Sequence, residues 1–179
     1  MNLRNLVLSL GVLLATLSFS AQNALASSRG TETLQKQVKH ELNMLPYVNA
    51  FDYVAFAADD NGNVTLTGQV TNPVLKKDAG NVVSRVEGVE RVDNQIQVLP
   101  PSPMDDGLRL RLYRTIYGSS TLERYSIGVI QPIRIIVKNG HVTLMGVVDS
   151  DMDRNVAGIQ ANSVPGVFSV DNQLKVVRG

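Results

Sequence analysis

The stretch Gly62-Asn63-Val64-Thr65-Leu66-Thr67-Gly68-Gln69-Val70 decides the fold, because it is written twice. Moved forward by 78 positions it falls on Gly140-His141-Val142-Thr143-Leu144-Met145-Gly146-Val147-Val148, and the match runs without a gap from 62–98 to 140–176. Sixteen of those 37 positions are identical, where unrelated sequences of ordinary composition would agree at roughly two or three. Ala79-Gly80 returns as Ala157-Gly158, Gly88-Val89 as Gly166-Val167, and Val92-Asp93-Asn94-Gln95 as Val170-Asp171-Asn172-Gln173. A repeat of this length is a whole small domain rather than a solenoid unit. What returns is glycine, apolar alternation and one asparagine. No nucleophile, acid pair or ligand set returns, so the repeat specifies a fold and only weakly a function.

Working outward from the repeat, Leu34, Val38, Leu42 and Leu45 lie at helical spacing, with Thr31 as the expected N-cap and Pro46 at the end. Val54, Phe56 and Ala58 alternate as a strand, and Asp59 to Asn63 form the turn into the returning strand. The 78-residue offset aligns those three with Pro132, Arg134 and Ile136, which leaves the phase of this strand open. Asn72-Pro73 opens a second helix with Leu75, Ala79, Val82, Val83 and Val86 as its buried stripe, and Gly88 is expected to end it. Val92 to Val98 is a third strand. The second copy repeats this order. Asp105 or Asp106 is the expected cap of its first helix, with Leu108, Leu112 and Ile116 buried. Asn139-Gly140 is its hairpin turn, and Ser150 caps a last helix carrying Met152, Ala157, Ala161 and Val164. Two helices cover only one face of a three-stranded sheet. Ala79, Ala157, Gly68 and Gly146 are read as devices for close packing.

The N-terminus reads as a secretory signal over 1–26: basic Arg4, an apolar run from Leu6 to Phe19, and a small-x-small Ala24-Leu25-Ala26. The expected organisation is this signal, a first domain over 27–98, a Pro-rich linker over 99–105 and a second domain over 106–179. The expected location is periplasmic or secreted. There is no cysteine, so an exported chain of this kind has to be held by its cores alone. Residues 27–100 carry 7 basic and 9 acidic side chains, and residues 101–179 carry 9 and 7. These near-balanced halves exclude a nucleic-acid protein, which would show a strong basic excess.

The run V-T-L-x-G-x-V after an N-G turn, followed by a helix and G-V-x-x-V-x-N-x-[IL]-x-V, resembles the BON domain, named for bacterial OsmY and nodulation proteins. It reads Val64 to Val70 with Gly88 to Val98, and again Val142 to Val148 with Gly166 to Val176. Two copies behind a signal look like the periplasmic OsmY-type arrangement. The resemblance implies an α+β fold of two tandem αββαβ domains, each a three-stranded mixed sheet. It also implies a non-enzymatic envelope protein, for which phospholipid contact and envelope maintenance under stress are the expectations.

No residue set argues for catalysis, a cofactor or a metal. Counted as an EF-hand from Asp59, the positions wanting Gly and Glu hold Val64 and Val70. His40 and His141 have no neighbouring ligand pattern, and Ser119-Ser120 lacks a nucleophile frame. Asn94 and Asn172 are read as satisfying nearby backbone. Arg109, Arg111, Arg114 and Arg124 with Tyr113, Tyr117 and Tyr125 gather on the second domain's first helix and the loop after it. Basic residues interleaved with aromatics suit anionic headgroups, so Arg109, Arg111, Tyr113, Arg114, Tyr117 and Arg124 are the candidate lipid contacts. Ile136, Met145, Val147 and Val177 would make the uncovered sheet face of the second domain apolar. They are the candidate partner or interdomain face. The leading function is therefore peripheral contact with anionic phospholipid. The alternative is a protein–protein adaptor or holdase-like chaperone binding other envelope proteins.

Overall fold

The computed structural model describes residues 30–128 and 130–177; the segment read as a signal, 1–26, lies outside the described residues. The first repeat comprises helix α1 (residues 30–43), β1 (Tyr53–Ala58), β2 (Asn63–Val70), α2 (Pro73–Val83), β3 (Arg91–Asn94) and β4 (Gln97–Val98). The second comprises α3 (Pro103–Tyr117), a short 3₁₀ turn (Glu123–Ser126), β5 (Ile133–Lys138), β6 (His141–Val148), α4 (Asp151–Asn162), β7 (Ser169–Asn172) and β8 (Lys175–Val176).

Each sheet is mixed, as the resemblance implied. β1 runs antiparallel to β2, while β3 and β4 both run parallel to it. β5, β6, β7 and β8 repeat this arrangement. β3 and β4 keep one register, Asn63 opposite Arg91 and Gln69 opposite Gln97. They are therefore one strand, interrupted at Gln95 and Ile96. The interruption comes from Asn94, whose own side-chain oxygen accepts the Ile96 amide at 3.3 Å. Asn172 does the same to Leu174 at 3.3 Å.

The two cores match position by position. Val64, Leu66, Val70, Ala79, Val83 and Ile96 are buried, as are Val142, Leu144, Val148, Ala157, Ala161 and Leu174. The open phase of β1 resolves by one residue. Phe56 faces Leu66 and Ile135 faces Leu144, so Val54, Phe56 and Ala58 correspond to Ile133, Ile135 and Val137, an offset of 79. The two-residue turn at Asn139-Gly140, with both residues at positive φ, is one residue shorter than its counterpart. That shift turns apolar side chains, rather than Pro132 and Arg134, toward the core. Gly68 (φ 126) and Gly146 (φ 112) sit where a Cβ would fall 2.0 Å from the Tyr53 carbonyl oxygen and 1.9 Å from that of Pro132. They are sites of close backbone approach, as read from sequence.

Several helix ends differ from expectation. Thr31 lies inside α1 rather than capping it, and its hydroxyl donates to Asp60. Ser102, not Asp105 or Asp106, caps α3, and Pro103 is the first helical residue. The stiff segment is accordingly shorter than 99–105. α2 ends at Val83, five residues before Gly88, which instead takes positive φ in the turn entering β3. In α4 Met152 is exposed, and the buried position beside it belongs to Asp153, the counterpart of Leu75.

The repeats touch through the loop between α1 and β1. Ala50 is buried in the core of the second repeat, and its carbonyl accepts the Ile135 amide at 2.7 Å. Phe51 meets the Tyr113 ring edge-on at 6.1 Å, and the Arg134 guanidinium donates to the Asn49 carbonyl at 2.7 Å. Burial lowers the Arg134 pKa, against the attraction of Tyr117 and Asp52.

Candidate functional site

The basic and aromatic residues of α3 divide into two groups. Leu108, Leu112 and Ile116 anchor the helix against β5 and α4. One flank of that stripe is covered by the Ala50-Phe51 loop of the first repeat, and the residues there are drawn into the protein. Arg109, expected among the headgroup contacts, is buried: its guanidinium donates to the Val137 carbonyl at 2.6 Å and pairs with Asp106. Tyr117 is buried too. Its hydroxyl donates to the Ile133 carbonyl at 2.6 Å, and desolvation pushes its pKa above the ordinary tyrosine range. Tyr113 is half-buried under Phe51.

The other flank stays outside. Met104 is 71% and Leu110 51% exposed. Arg111 and Arg114 are exposed and make no ion pair among the described residues. At 100° per residue, Leu110, Arg114 and Arg111 fall within about a quarter-turn. Together with Met104 they form one outward surface that combines apolar side chains with two unopposed guanidinium groups.

Arg124 belongs to neither group. It donates to the Asp153 carboxylate at 2.6 Å and to the Tyr125 hydroxyl at 3.1 Å, and lies 3.5 Å from Asp149. Asp153 also accepts from the hydroxyls of Ser150 at 2.7 Å and Tyr125 at 3.0 Å. Burial alone would raise the Asp153 pKa, but the hydrogen bonds from Ser150 and Tyr125 and the charge of Arg124 outweigh it and hold the group below the ordinary aspartate range. This cluster pins the loop after α3 onto the start of α4. The sequence carried a signal for it: the repeat offset turns Leu75 into Asp153, an acid at a core position.

A second buried acid was also missed. Asp105 is 1% exposed and accepts the amides of Asn139 at 2.8 Å and Gly140 at 2.9 Å. It ties α3 to the hairpin turn, as Thr31 ties α1 to Asp60 in the first repeat. Asn94 and Asn172 serve the backbone, as expected. Their amides donate to the Lys76 carbonyl at 2.8 Å and the Arg154 carbonyl at 2.7 Å. The Asp59 carboxylate accepts the amides of Asn61 and Asn63, both at 2.9 Å, and the Asn63 side chain at 2.7 Å, which is turn chemistry. Among the described residues no group of three or more His, Asp or Glu is placed to hold a metal ion.

The open face of the second sheet is uneven. Ile136 is buried and Met145 half-buried, while Val147 and Val177 are exposed. Val147 and Gly146 line a cleft of about 350 Å³ together with Lys39, Leu42 and Val54 of the first repeat. Among the described residues no helix is long and apolar enough to cross a membrane.

No curated protein sequence matches this chain. Among solved structures the chain is similar to the C-terminal domain of CdsD, described as the structural protein of the type III secretion system of Chlamydia trachomatis. The identity is 15% and the TM-score 0.30, over 80% of this chain and 96% of that one. A second structure of CdsD gives 16% and 0.31, over 82% and 93%. Likeness at these scores is too loose to bear on function. The profile of the BON domain matches residues 30–100 and again 128–178. The second match begins after α3, which the structure nevertheless packs into the core of the second repeat. With two matches covering most of its length and two αββαβ units behind them, the chain belongs to the BON-domain family.

Proposed function

We propose that this chain is an exported, non-enzymatic protein of the bacterial envelope that makes peripheral contact with anionic phospholipid through the outer flank of α3. The observation that carries the reading is the surface of Met104, Leu110, Arg111 and Arg114: two unpaired guanidinium groups beside two exposed apolar side chains. An interfacial helix needs that pairing, with apolar groups entering the headgroup boundary and cations meeting phosphate. Membership of a family associated with phospholipid supports it. Of the six basic and aromatic candidates on α3 and its loop, Arg111 and Arg114 carry the contact. Arg109, Tyr117 and Arg124 hold the helix and its loop in place.

Each cation near an anionic surface contributes roughly 1 kcal/mol. Reversing Arg111 and Arg114 to Glu replaces two attractions by two repulsions, and should weaken binding to anionic vesicles well over tenfold. Folding should be nearly unchanged, since both side chains lie outside the core. Co-sedimentation with phosphatidylglycerol-containing and neutral vesicles at physiological salt is the test. Equal binding of wild type and double variant to anionic vesicles, or no binding by either, refutes the assignment.

A further inference from the structure

The two sheets differ at one edge. Along β5 the outer edge is closed: the Ile135 amide reaches the Ala50 carbonyl at 2.7 Å and the Val137 carbonyl accepts from Arg109 at 2.6 Å. Ile133, Ile135 and Val137 are fully buried there. β1 is the corresponding strand of the first repeat, and its edge is open. The Asp59 amide bonds the Asn63 carbonyl at 3.0 Å, so the odd-numbered residues of β1 bond toward β2. The amides of Val54, Phe56 and Ala58 point away from it. No described group bonds them. Their side chains are only half-buried, unlike those of β5. β1 reads Tyr-Val-Ala-Phe-Ala-Ala. It contains no charge and no proline, the usual protections of an exposed edge.

A groove runs beside this edge. Two adjoining cavities of about 430 and 350 Å³ share Lys39, Leu42 and Tyr53, and Lys175 of the second repeat also lines the first. One wall is α1, and the other is the open face of the second sheet around Val147. Pro132, Arg134 and Val147 of the second repeat line the groove beside Tyr53 and Val54, so the open edge faces the second repeat across it. Among the described residues lining the groove, Lys39 and Lys175 are cations that make no ion pair. Asp52, the acid on the groove, is occupied by the Thr71 amide at 2.7 Å and hydroxyl at 2.9 Å, and Arg134 is bound to Asn49.

We propose that this groove takes an extended polypeptide segment by strand addition to β1, with apolar side chains against Leu42, Phe56 and Val147 and an acidic side chain between Lys39 and Lys175. Main-chain bonds to Val54, Phe56 and Ala58 supply the affinity, and the two walls select the side chains. The site is distinct from the outer flank of α3, so it stands whether or not that flank binds lipid.

The test uses a fluorescein-labelled synthetic heptapeptide, Leu-Ala-Val-Glu-Val-Ala-Leu. Its controls are a version with Lys for Glu and one N-methylated at alternate amides. Fluorescence anisotropy should show saturable binding of the first, at least tenfold weaker binding of the second, and none of the third. Lys175→Glu, at an exposed position, leaves Lys39 facing one acid and should abolish the preference between the first two. In the free protein the Phe56 amide should exchange with solvent faster than those of Ala55 and Ala57, and peptide should slow it. The proposal is overturned by absence of binding, by equal binding of both charges, by equal binding of the methylated peptide, or by a Phe56 amide already protected without peptide.

Discussion

Replacing Gly80 by alanine should destabilise this protein, although the position is in the middle of α2, where alanine ordinarily gains roughly 1 kcal/mol over glycine. The reason is Asn94. A Cβ at Gly80 would lie 2.9 Å from the Asn94 side-chain nitrogen, the atom that donates to the Lys76 carbonyl at 2.8 Å. The methyl group displaces that amide from the carbonyl and leaves the half-buried Asn94 nitrogen without its acceptor, a loss of about 1–3 kcal/mol. The net effect of Gly80→Ala is then about 1 kcal/mol unfavourable. Asn94→Ala alone removes the bonds to Lys76 and Ile96 and should cost about 2 kcal/mol. In the double variant the methyl meets no amide, and the helix gain returns. The pair together should cost only about 1 kcal/mol, a coupling of about 2 kcal/mol between the sites. Urea denaturation of the four proteins measures it. Gly158→Ala and Asn172→Ala provide an independent repeat of the cycle, since the Gly158 Cβ would also lie 2.9 Å from the Asn172 side-chain nitrogen. A stabilising Gly80→Ala, or costs that simply add, would refute the reasoning.

The remaining predictions concern the joints. Asp153 has its folded pKa depressed, so its contribution to stability is present above the ordinary aspartate value of 3.8 and is lost as pH falls below it. Asp153→Asn should flatten that acid limb in a series of melts, and an unchanged limb would contradict the role given to the Arg124 cluster. Phe51→Ala removes a ring that belongs to the first repeat by sequence but packs on the second. It should cost about 2 kcal/mol and raise amide exchange at Ile135, whereas a loss confined to the first repeat would contradict the contact between them.

Much of the fold is legible in the chain itself. Period-two runs at Val64 to Val70 and Val142 to Val148, small residues where helix meets sheet, and one offset shared by both are local facts, and local facts are what a sequence displays. The repeat even held the asymmetry at Leu75 and Asp153, although what Asp153 does there depends on Tyr125 and Arg124 arriving from another loop. The phase of β1 was not legible, because a turn one residue shorter leaves no trace in an ungapped alignment of the flanking strands. The site was harder still. Arg109, Arg111 and Arg114 look alike in the chain, and only one of the three is buried.

By itself, then, the sequence determined two copies of one αββαβ unit, their cores and the two asparagines that serve the neighbouring backbone. Each of these follows from residues close in the chain or equivalent by repeat. The tertiary structure alone decided which arginines remain free, which sheet edge is closed and which is left open. All three depend on where the loop of Asn49, Ala50 and Phe51 docks: a backbone carbonyl and an aromatic ring from the first repeat fill the edge of the second, and no pattern along the chain encodes a contact between residues 85 positions apart.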